Sequence, residues 1–248
     1  MKCEKFKYNN YTMRILLLLI LLCLPVFASE YNLYRPDNFS ADYVDEDERV
    51  LFILDFSNSM DEYLEGKRKV DLMVDTMKSI LPKLNPNISV GLRVYGHRMG
   101  FTPMEACRAS TLVSPIARSN GMNVRNSLLD IKPRGMTPIT YSLKQAVRND
   151  FLGFNGKKHI ILLTDGGENC DESPCKYVME LIKYRKDVKI DVIAFNIDNE
   201  DDLSQLECTS LVTSGKFYNA KTATDLAKSL NSSVNSFKSV DAKIIANP

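Results

Sequence analysis

The segment "RVLFILDFSNSM", residues 49–60, joins a short apolar run to three oxygen-bearing side chains. Residues 50–54 are apolar without alternation, which is typical of a strand buried on both faces. Asp55, Ser57 and Ser59 follow at every second position. Alternate residues of an extended segment point to the same side. The segment therefore predicts a central strand whose end presents three oxygen groups together.

The rest of the chain alternates between apolar strand patterns and amphipathic helix patterns. We predict strands at residues 49–55, 88–96, 109–116, 159–165, 188–197 and 215–220. Apolar spacings of three and four predict helices at residues 70–84, 123–131, 138–147, 173–182, 203–211 and 222–238. Such alternation indicates helical crossovers between parallel strands. We expect a doubly wound α/β domain with a mostly parallel central sheet of about six strands and helices on both faces.

The N-terminal residues 1–28 have the pattern of a secretory signal peptide. Basic residues precede the apolar run "ILLLLILLCLPVF" of residues 15–27. This run is shorter than the roughly 20 residues of a membrane-spanning helix, so signal cleavage is favoured over an uncleaved membrane anchor. We therefore expect a periplasmic or secreted protein with a linker at residues 29–46, a folded domain at 47–238 and a tail at 239–248.

The charge of the mature chain argues against a nucleic-acid partner. Without residues 1–28 the chain has 28 Lys and Arg residues against 30 Asp and Glu residues, and it contains no tryptophan. A protein that binds a phosphate backbone needs a basic surface, and the sequence shows no basic stripe. Removal of the signal also leaves no segment that we expect to span a membrane.

Four cysteines remain after signal cleavage, and an even number in an exported protein predicts two disulfides. The sequence leaves three pairings open. A bond between Cys170 and Cys175 is locally feasible and would leave Cys107 with Cys208. A bond that includes Cys170 or Cys175 would stiffen the nearby loop of Asp165. Zinc is not expected, because the chain has no Cys-x-x-Cys pair and only two histidines.

Two further segments place oxygen groups near the first one. Thr137 lies in "RGMTPIT" at a loop-to-helix junction, and Asp165 lies in "LLTDGGENC" at the end of another strand. Ligands of doubly wound sheets bind outside the carboxyl ends of the strands. We therefore expect these two residues to meet Asp55, Ser57 and Ser59. Hydroxyl and carboxylate oxygens suit Mg²⁺ or Mn²⁺ and also Ca²⁺.

Each of these segments also has a purely structural interpretation. Thr137 before Pro138 is a common helix start, Ser57 and Ser59 are common helix caps, and Asp165 begins a turn-forming triplet. Two neighbouring residues receive separate expectations. Glu168 is expected to face solvent, with adjustment of the site charge as the alternative. His97 is expected to form a hydrogen bond within a loop.

The combination of "DFSNS", "GMTPI" and "LLTDG", in this order, resembles the metal-ion-dependent adhesion site of von Willebrand factor type A domains. The resemblance covers about residues 46–238, and "YGHR" and "IILLTDGGENC" are similar to an exported bacterial branch of that family. It implies that Ser57 and Ser59 bind the metal directly and that Thr137 binds it directly or through water. Asp55 and Asp165 would act directly or through water. A protein partner would complete the coordination with an acidic side chain.

The leading functional hypothesis is a non-enzymatic, metal-dependent protein-binding domain outside the cytoplasm. One alternative is a metal-dependent phosphohydrolase with Asp55 as the nucleophile. Such enzymes generally use a second acid two residues later, where this chain has Ser57, and Lys157 and Lys158 precede the Asp165 strand at its far end. A second alternative is an assembly partner of a larger envelope complex. No Walker loop, GxSxG elbow or dinucleotide fingerprint is present.

Overall fold

The computed structural model describes residues 48–236. The strands are β1 (Arg49–Asp55), β2 (Tyr63–Leu64), β3 (Lys67–Arg68), β4 (Ser89–Tyr95), β5 (Ser110–Ala117), β6 (Lys158–Thr164), β7 (Val188–Phe195) and β8 (Phe217–Ala220). The helices are α1 (Lys69–Ile80), α2 (Pro103–Ala106), α3 (Gly121–Ser127), α4 (Ile139–Gln145), α5 (Pro174–Leu181), α6 (Glu200–Val212) and α7 (Ala223–Asn235). Short 3-10 turns follow β1 and α1, and α4 continues into a π turn.

The strand order of the main sheet is β5-β4-β1-β6-β7-β8. All neighbouring strands are parallel except β4 and β5, which are antiparallel. The doubly wound, mostly parallel fold predicted from the sequence is therefore confirmed. β5 runs the other way because the connection from β4 carries only the short α2 and returns the chain at the same end of the sheet. The two-residue strands β2 and β3 form a separate hairpin that the sequence patterns did not predict.

The central strand β1 is buried on both faces, as its continuous apolar run predicts. Phe52 and Leu54 pack into one cluster with side chains of α1 and α7. Leu51 and Ile53 pack into the other cluster, with side chains of α4, α5 and α6. Fully burying an aliphatic or aromatic side chain of this size contributes roughly 1.5–3 kcal/mol. The two clusters therefore hold the carboxyl end of β1 on a rigid layer.

Two disulfides join Cys107 to Cys170 and Cys175 to Cys208. The number agrees with the prediction, and the locally feasible pair of Cys170 with Cys175 is not formed. Cys175 lies in the first turn of α5 and meets Cys208 of α6, which packs beside it. Cys170 lies in the preceding loop, against Cys107 at the end of α2. Because α5 begins between Cys170 and Cys175, the two side chains face different neighbours.

The predicted signal peptide at residues 1–28, the linker at 29–46 and the tail at 239–248 lie outside the described residues. Between residues 48 and 236 no helix has the length and apolarity needed to cross a membrane.

Candidate metal centre

Asp55, the last residue of β1, is completely buried at the carboxyl end of the sheet. Its Oδ1 accepts a 2.7 Å hydrogen bond from the backbone N–H of Ser57. Its Oδ2 accepts hydrogen bonds from the hydroxyls of Tyr95, at 3.0 Å, and Thr164, at 2.8 Å. Burial, followed by the negative charge of Asp165, raises the pKa of Asp55 to about 7. Three donors therefore fix a carboxyl group that is costly to ionise without a nearby cation.

The hydroxyls of Ser57 and Ser59 lie side by side, with their Oγ atoms 3.1 Å apart. Ser59 donates a 2.7 Å hydrogen bond to Oδ1 of Asp165, 106 residues later in the chain. Ser57 precedes the 3-10 turn of residues 58–61, but its side chain makes no capping hydrogen bond. The purely structural interpretation of Ser57 as a helix cap is therefore wrong, and the two hydroxyls face the end of β6 instead.

Thr137 lies on a loop that contacts the Ser57 segment directly. Gly135 forms a parallel bridge with Ser57, and its carbonyl accepts a 3.0 Å hydrogen bond from the backbone of Asn58. A side chain at position 135 would lie 2.5 Å from the carbonyl oxygen of Arg98, so only glycine fits there. Thr137 is 4% exposed. Within residues 48–236 its hydroxyl has no hydrogen-bond partner.

Thr137 is also not the cap of the helix that follows it. α4 begins at Ile139 with Pro138 in the capping position, and the Thr137 side chain accepts no hydrogen bond from the helix start. The backbone N–H of Thr137 instead donates a 2.7 Å hydrogen bond to Oδ1 of Asn169, on the loop after β6. The loop that carries Thr137 is therefore attached both to the segment after β1 and to the segment after β6.

Asp165 follows β6 and is 6% exposed. Besides the bond from Ser59, its Oδ2 accepts a 3.0 Å hydrogen bond from the ammonium of Lys69. Burial raises the pKa of Asp165, although Ser59 and Lys69 oppose this shift. Lys69 also donates to Glu62 at 2.8 Å, and its side chain is 6% exposed. No pattern in the sequence distinguishes Lys69 from its neighbours Lys67, which is exposed, and Arg68, which is half-buried.

Glu168 does not face solvent, and that expectation is wrong. Its Oε2 accepts a 2.7 Å hydrogen bond from the backbone of Thr140, in the first turn of α4, and its Oε1 accepts a 3.0 Å bond from the backbone of Cys170. The unpaired N–H groups at a helix start favour a carboxylate. Burial raises the pKa of Glu168. Glu168 and Asn169 thus attach the loop after β6 to the loop and helix that follow Gly135.

His97 forms a hydrogen bond from its loop, as expected, but its partner lies in β5 and not in the loop. Its Nε2 lies 3.1 Å from the hydroxyl of Thr111. Burial, together with the charge of Arg98, lowers the pKa of His97 to about 4. The imidazole is therefore neutral at ordinary pH and links the loop after β4 to β5.

The residues that meet here form what we call the rim: the loops after β1, β4 and β6 and the loop before α4. Its centre holds the buried carboxylates of Asp55 and Asp165 and the hydroxyls of Ser57 and Ser59, with Thr137 on the adjoining loop. Residues 48–236 contain no cluster of three or more His, Cys, Asp or Glu side chains suited to a metal. Any cation at the rim would therefore depend on hydroxyl oxygens. Such hard oxygens fit Mg²⁺, and a cation would relieve the repulsion between two buried carboxylates.

The profile of the von Willebrand factor type A domain matches residues 50–232. Two uncharacterized proteins of Bacillus subtilis (strain 168) are similar over 183 residues: YwmC at 30% identity and YwmD at 28%. The alignment with YwmC covers 72% of this chain and 79% of YwmC. The alignment with YwmD covers 71% of this chain and 80% of YwmD.

Solved structures of similar fold come from several sources. A von Willebrand factor type A protein from Catenulispora acidiphila has a TM-score of 0.62 at 16% identity, covering 76% of this chain and 42% of that one. Proximal thread matrix protein 1 of the mussel byssus, with a zinc-occupied MIDAS motif, has a TM-score of 0.59 at 21% identity. That match covers 77% of this chain and 46% of the mussel protein.

The pilus adhesin SpaC of Lactobacillus rhamnosus GG has a TM-score of 0.59 at 14% identity, covering 77% of this chain and 30% of SpaC. The chain therefore spans less than half of the length of these three structures. At such low identity the structural likeness shows the fold alone.

Proposed function

Because the chain belongs to the von Willebrand factor type A family, we propose that it binds a divalent metal at the rim and uses it to hold a protein partner outside the cytoplasm. Domains of this family commonly mediate metal-dependent protein interaction or adhesion and are mostly non-enzymatic. The proposed site consists of Ser57 and Ser59 as direct ligands, with Thr137, Asp55 and Asp165 acting directly or through water. We propose Mg²⁺ as the ion, with Mn²⁺ and Ca²⁺ as alternatives of the same hard character.

The observation that carries this proposal is the hydrogen bond from Ser59 to Asp165. It joins the segments after β1 and β6 at 2.7 Å, and Ser57 lies 3.1 Å from the same hydroxyl. Three oxygen-bearing side chains from two distant parts of the sequence thus lie within contact of one another. The free hydroxyl of Thr137, on a loop attached to both segments, supplies a fourth oxygen group nearby.

A metal held by these residues would offer an open coordination position to an outside carboxylate. The chain's own side chains prepare that position. Tyr95 and Thr164 orient Asp55 through its Oδ2, and the backbone of Ser57 orients its Oδ1. Asp165 is oriented through both of its oxygens: Lys69 donates to Oδ2 and Ser59 donates to Oδ1. The partner we propose therefore presents an acidic side chain.

The contacts of Asp55 speak against the phosphohydrolase alternative. Both of its oxygens accept hydrogen bonds, and the residue has no exposed surface. A nucleophile needs an oxygen that faces the substrate. Lys158 begins β6 at the opposite end of the sheet and pairs with Asp187, so it is not available to hold a phosphoryl group.

We also propose that the protein is exported. The two disulfides support this proposal, because disulfides persist in oxidising compartments outside the cytoplasm.

The test is Mg²⁺ binding by Ser59→Ala and Thr137→Ala variants. We expect calorimetry to show binding to wild-type protein and at least a tenfold weaker affinity for either variant. Bound ligand also stabilises a fold by mass action, so Mg²⁺ should raise the wild-type Tm relative to chelator and raise the variants' Tm less. Ser79→Ala, in the exposed last turn of α1, is the matched control. Wild-type affinity in the Ser59→Ala variant would overturn the metal site.

The interaction itself requires a partner. We expect a pull-down from native envelope or secreted material to retain a protein in Mg²⁺ and to lose it in chelator. Retention that is equal under both conditions would favour the alternative of a metal-independent assembly partner in a larger envelope complex.

A further inference from the structure

One flank of the rim carries two arginines that are unpaired within the described residues, and the other carries a group of acidic side chains. On the β4 side, Arg98 and Arg134 lie on loops in direct contact, because the backbone N–H of Arg134 donates a 3.0 Å hydrogen bond to the carbonyl of Gly96. Both side chains are exposed. Within residues 48–236 neither guanidinium forms an ion pair or a side-chain hydrogen bond. Two positive charges are thus left available on loops whose backbones adjoin the Ser57 segment.

On the other side of the sheet centre, the segment after β7 is acidic. Asp198, Glu200 and Asp201 are all exposed, and the first turn of α6 also contains Asp202. A side chain at Gly167 would meet the carboxylate of Asp202, so this acidic turn packs against the loop of Asp165. Lys221 pairs with Asp198 at 2.9 Å and offsets only part of the charge.

The β4 side also exposes large apolar side chains. Met99, Phe101 and Met104 have 76%, 103% and 65% of their surface exposed. Exposed apolar residues grouped beside a polar site mark interaction surfaces. A cavity of about 480 Å³ opens next to Met104, and its lining includes Arg108 and Tyr141 together with the acidic residues Asp171 and Glu172. Glu172 pairs with Lys144 at 2.6 Å. We call Arg98, Met99, Phe101, Met104 and Arg134 the arginine surface.

The disulfide between Cys107 and Cys170 keeps the arginine surface next to the proposed metal site. It ties the loop after β4 to the loop after β6. Asn169, next to Cys170, holds the backbone of Thr137 at 2.7 Å. A surface held in place before binding loses less entropy when a partner binds. The loops that carry these side chains are therefore attached to the rim.

We propose that the arginine surface is a second contact for the partner that binds the metal, and that it takes an acidic protein segment with a large apolar side chain. This inference rests on the proposed function. One carboxylate of the segment would bind the metal, and a second would pair with Arg98 and Arg134, because guanidinium groups form strong, often bidentate bonds to carboxylates. The apolar side chain would pack on Met99 and Phe101 and enter the cavity.

The charge difference also sets the direction of the bound segment. Its acidic part lies over the β4 side, because the acidic turn of α6 would repel it on the other side. A segment bound in the opposite direction would place its second carboxylate next to the acidic first turn of α6, where like charges repel. The arginine surface therefore determines both the chemistry and the orientation of the partner.

The test is a selection from random 12-residue peptides displayed on phage, with wild-type protein in Mg²⁺ as the target. We expect the selected peptides to contain at least two acidic residues and one aromatic or large aliphatic residue. Synthetic copies should bind the double variant Arg98→Ser, Arg134→Ser at least tenfold more weakly than wild type. A second double variant, Met99→Ser and Phe101→Ser, should weaken them at least fivefold. The matched control, Lys78→Ser and Lys83→Ser, removes two positive charges elsewhere and should leave binding unchanged.

Equal binding to the arginine variant and wild type would overturn the proposal, as would a selection without acidic excess or a selection that yields no peptide. Mg²⁺ titration without peptide separates this outcome from failure of the metal site. Isotope-labelled methionine methyl groups provide the readout, because Met60 and Met136 adjoin the proposed ligands Ser59 and Thr137. Shifts at Met60 and Met136 with Mg²⁺ would support the metal site alone. Further shifts at Met99 and Met104 with peptide would support the arginine surface.

Discussion

The ammonium of Lys69 lies 3.0 Å from Oδ2 of Asp165, among the oxygens that we propose bind a metal. The lysine side chain is almost completely buried and also contacts Glu62. The rim therefore contains a cation of its own, tethered to the start of α1. This cation partly neutralises the carboxylates in the absence of metal and must coexist with any divalent ion that binds them.

The first prediction follows from that contact. Replacing Lys69 with methionine should tighten Mg²⁺ binding by about tenfold or more, because two like charges about 4 Å apart repel by several kcal/mol at a protein surface. The same change should destabilise the metal-free protein, because it leaves Asp165 buried without its partner. Calorimetry measures the affinity, and unfolding in chelator measures the stability.

Lys67→Met is the control for this experiment. Lys67 is exposed and forms only a surface pair with Asp75 at 3.5 Å, and such pairs contribute little. Its loss should change neither Mg²⁺ affinity nor stability appreciably. An affinity in Lys69→Met that equals or falls below that of wild type would show that Lys69 does not compete with the metal.

The second prediction concerns pH. The pKa of Asp55 is raised to about 7 in the folded, metal-free protein, so protons compete with a cation for this carboxyl group. Mg²⁺ affinity should rise from pH 6 to pH 8, and binding near pH 6.5 should release protons. Calorimetry in two buffers of different ionisation enthalpy counts those protons. Affinity that stays constant over this range would contradict a role for Asp55 beside the metal.

The same group affects stability. An acid whose pKa is higher in the folded state than in the unfolded state destabilises the fold progressively as pH rises from about 4 to about 7. A bound cation removes this effect by favouring the ionised form. His97, with its pKa lowered to about 4, acts in the opposite direction, but equally with and without metal. The stabilisation by Mg²⁺ relative to chelator should therefore grow from pH 5 to pH 8 in denaturant unfolding.

The third prediction distinguishes the two disulfides. Replacing Cys107 and Cys170 with serine should weaken Mg²⁺ binding several-fold, because the bond anchors the loop that carries Glu168 and Asn169. The matched variant, with Cys175 and Cys208 replaced, should leave Mg²⁺ affinity unchanged because that bond joins α5 to α6. Both variants should lose about 2–4 kcal/mol of stability. Equal loss of Mg²⁺ affinity in the two variants would show that lower stability, and not the position of the Cys107–Cys170 bond, weakens metal binding.

The fourth prediction tests the attachment of Thr137. Asn169→Ala removes the acceptor of the Thr137 backbone N–H and should cost about 1–3 kcal/mol for a buried donor left unpaired. Mg²⁺ affinity should fall by about tenfold, because the hydroxyl of Thr137 is no longer held in position. Asn149→Ala, which removes an exposed side-chain bond to Gln145, is the control. Unchanged affinity in Asn169→Ala would remove Asn169 from the metal-binding arrangement.

Asp55 itself is a poor probe of the site. Its replacement by alanine would leave the buried hydroxyl of Tyr95 without its acceptor. It would also remove one of two acceptors of the Thr164 hydroxyl, which bonds to the carbonyl of Gly166 as well. This loss would lower stability as well as metal binding. Ser59 and Thr137 are more suitable, because each truncation removes a single hydroxyl group from the rim.

The sequence by itself determined the fold class and the candidate oxygen groups. The apolar run of β1 and the alternation of strands with helices reflect which faces of each element are buried. The spacing of apolar residues along the sequence indicates those faces directly. The rule that parallel strands end at one side of a sheet then brought Asp55 and Asp165 together in the prediction. The number of disulfides followed from composition in the same way.

Only the tertiary structure decided the contacts between loops. Lys69 is the clearest case, because its selection over Lys67 and Arg68 depends on which residue at the start of α1 faces Asp165. The inward turn of Glu168, the pairing of Cys107 with Cys170 and the contact between the loops of Arg98 and Arg134 likewise depend on segments far apart in the chain. Such contacts follow from the packing of the whole domain. The spacing of apolar residues along the sequence carries no information about them.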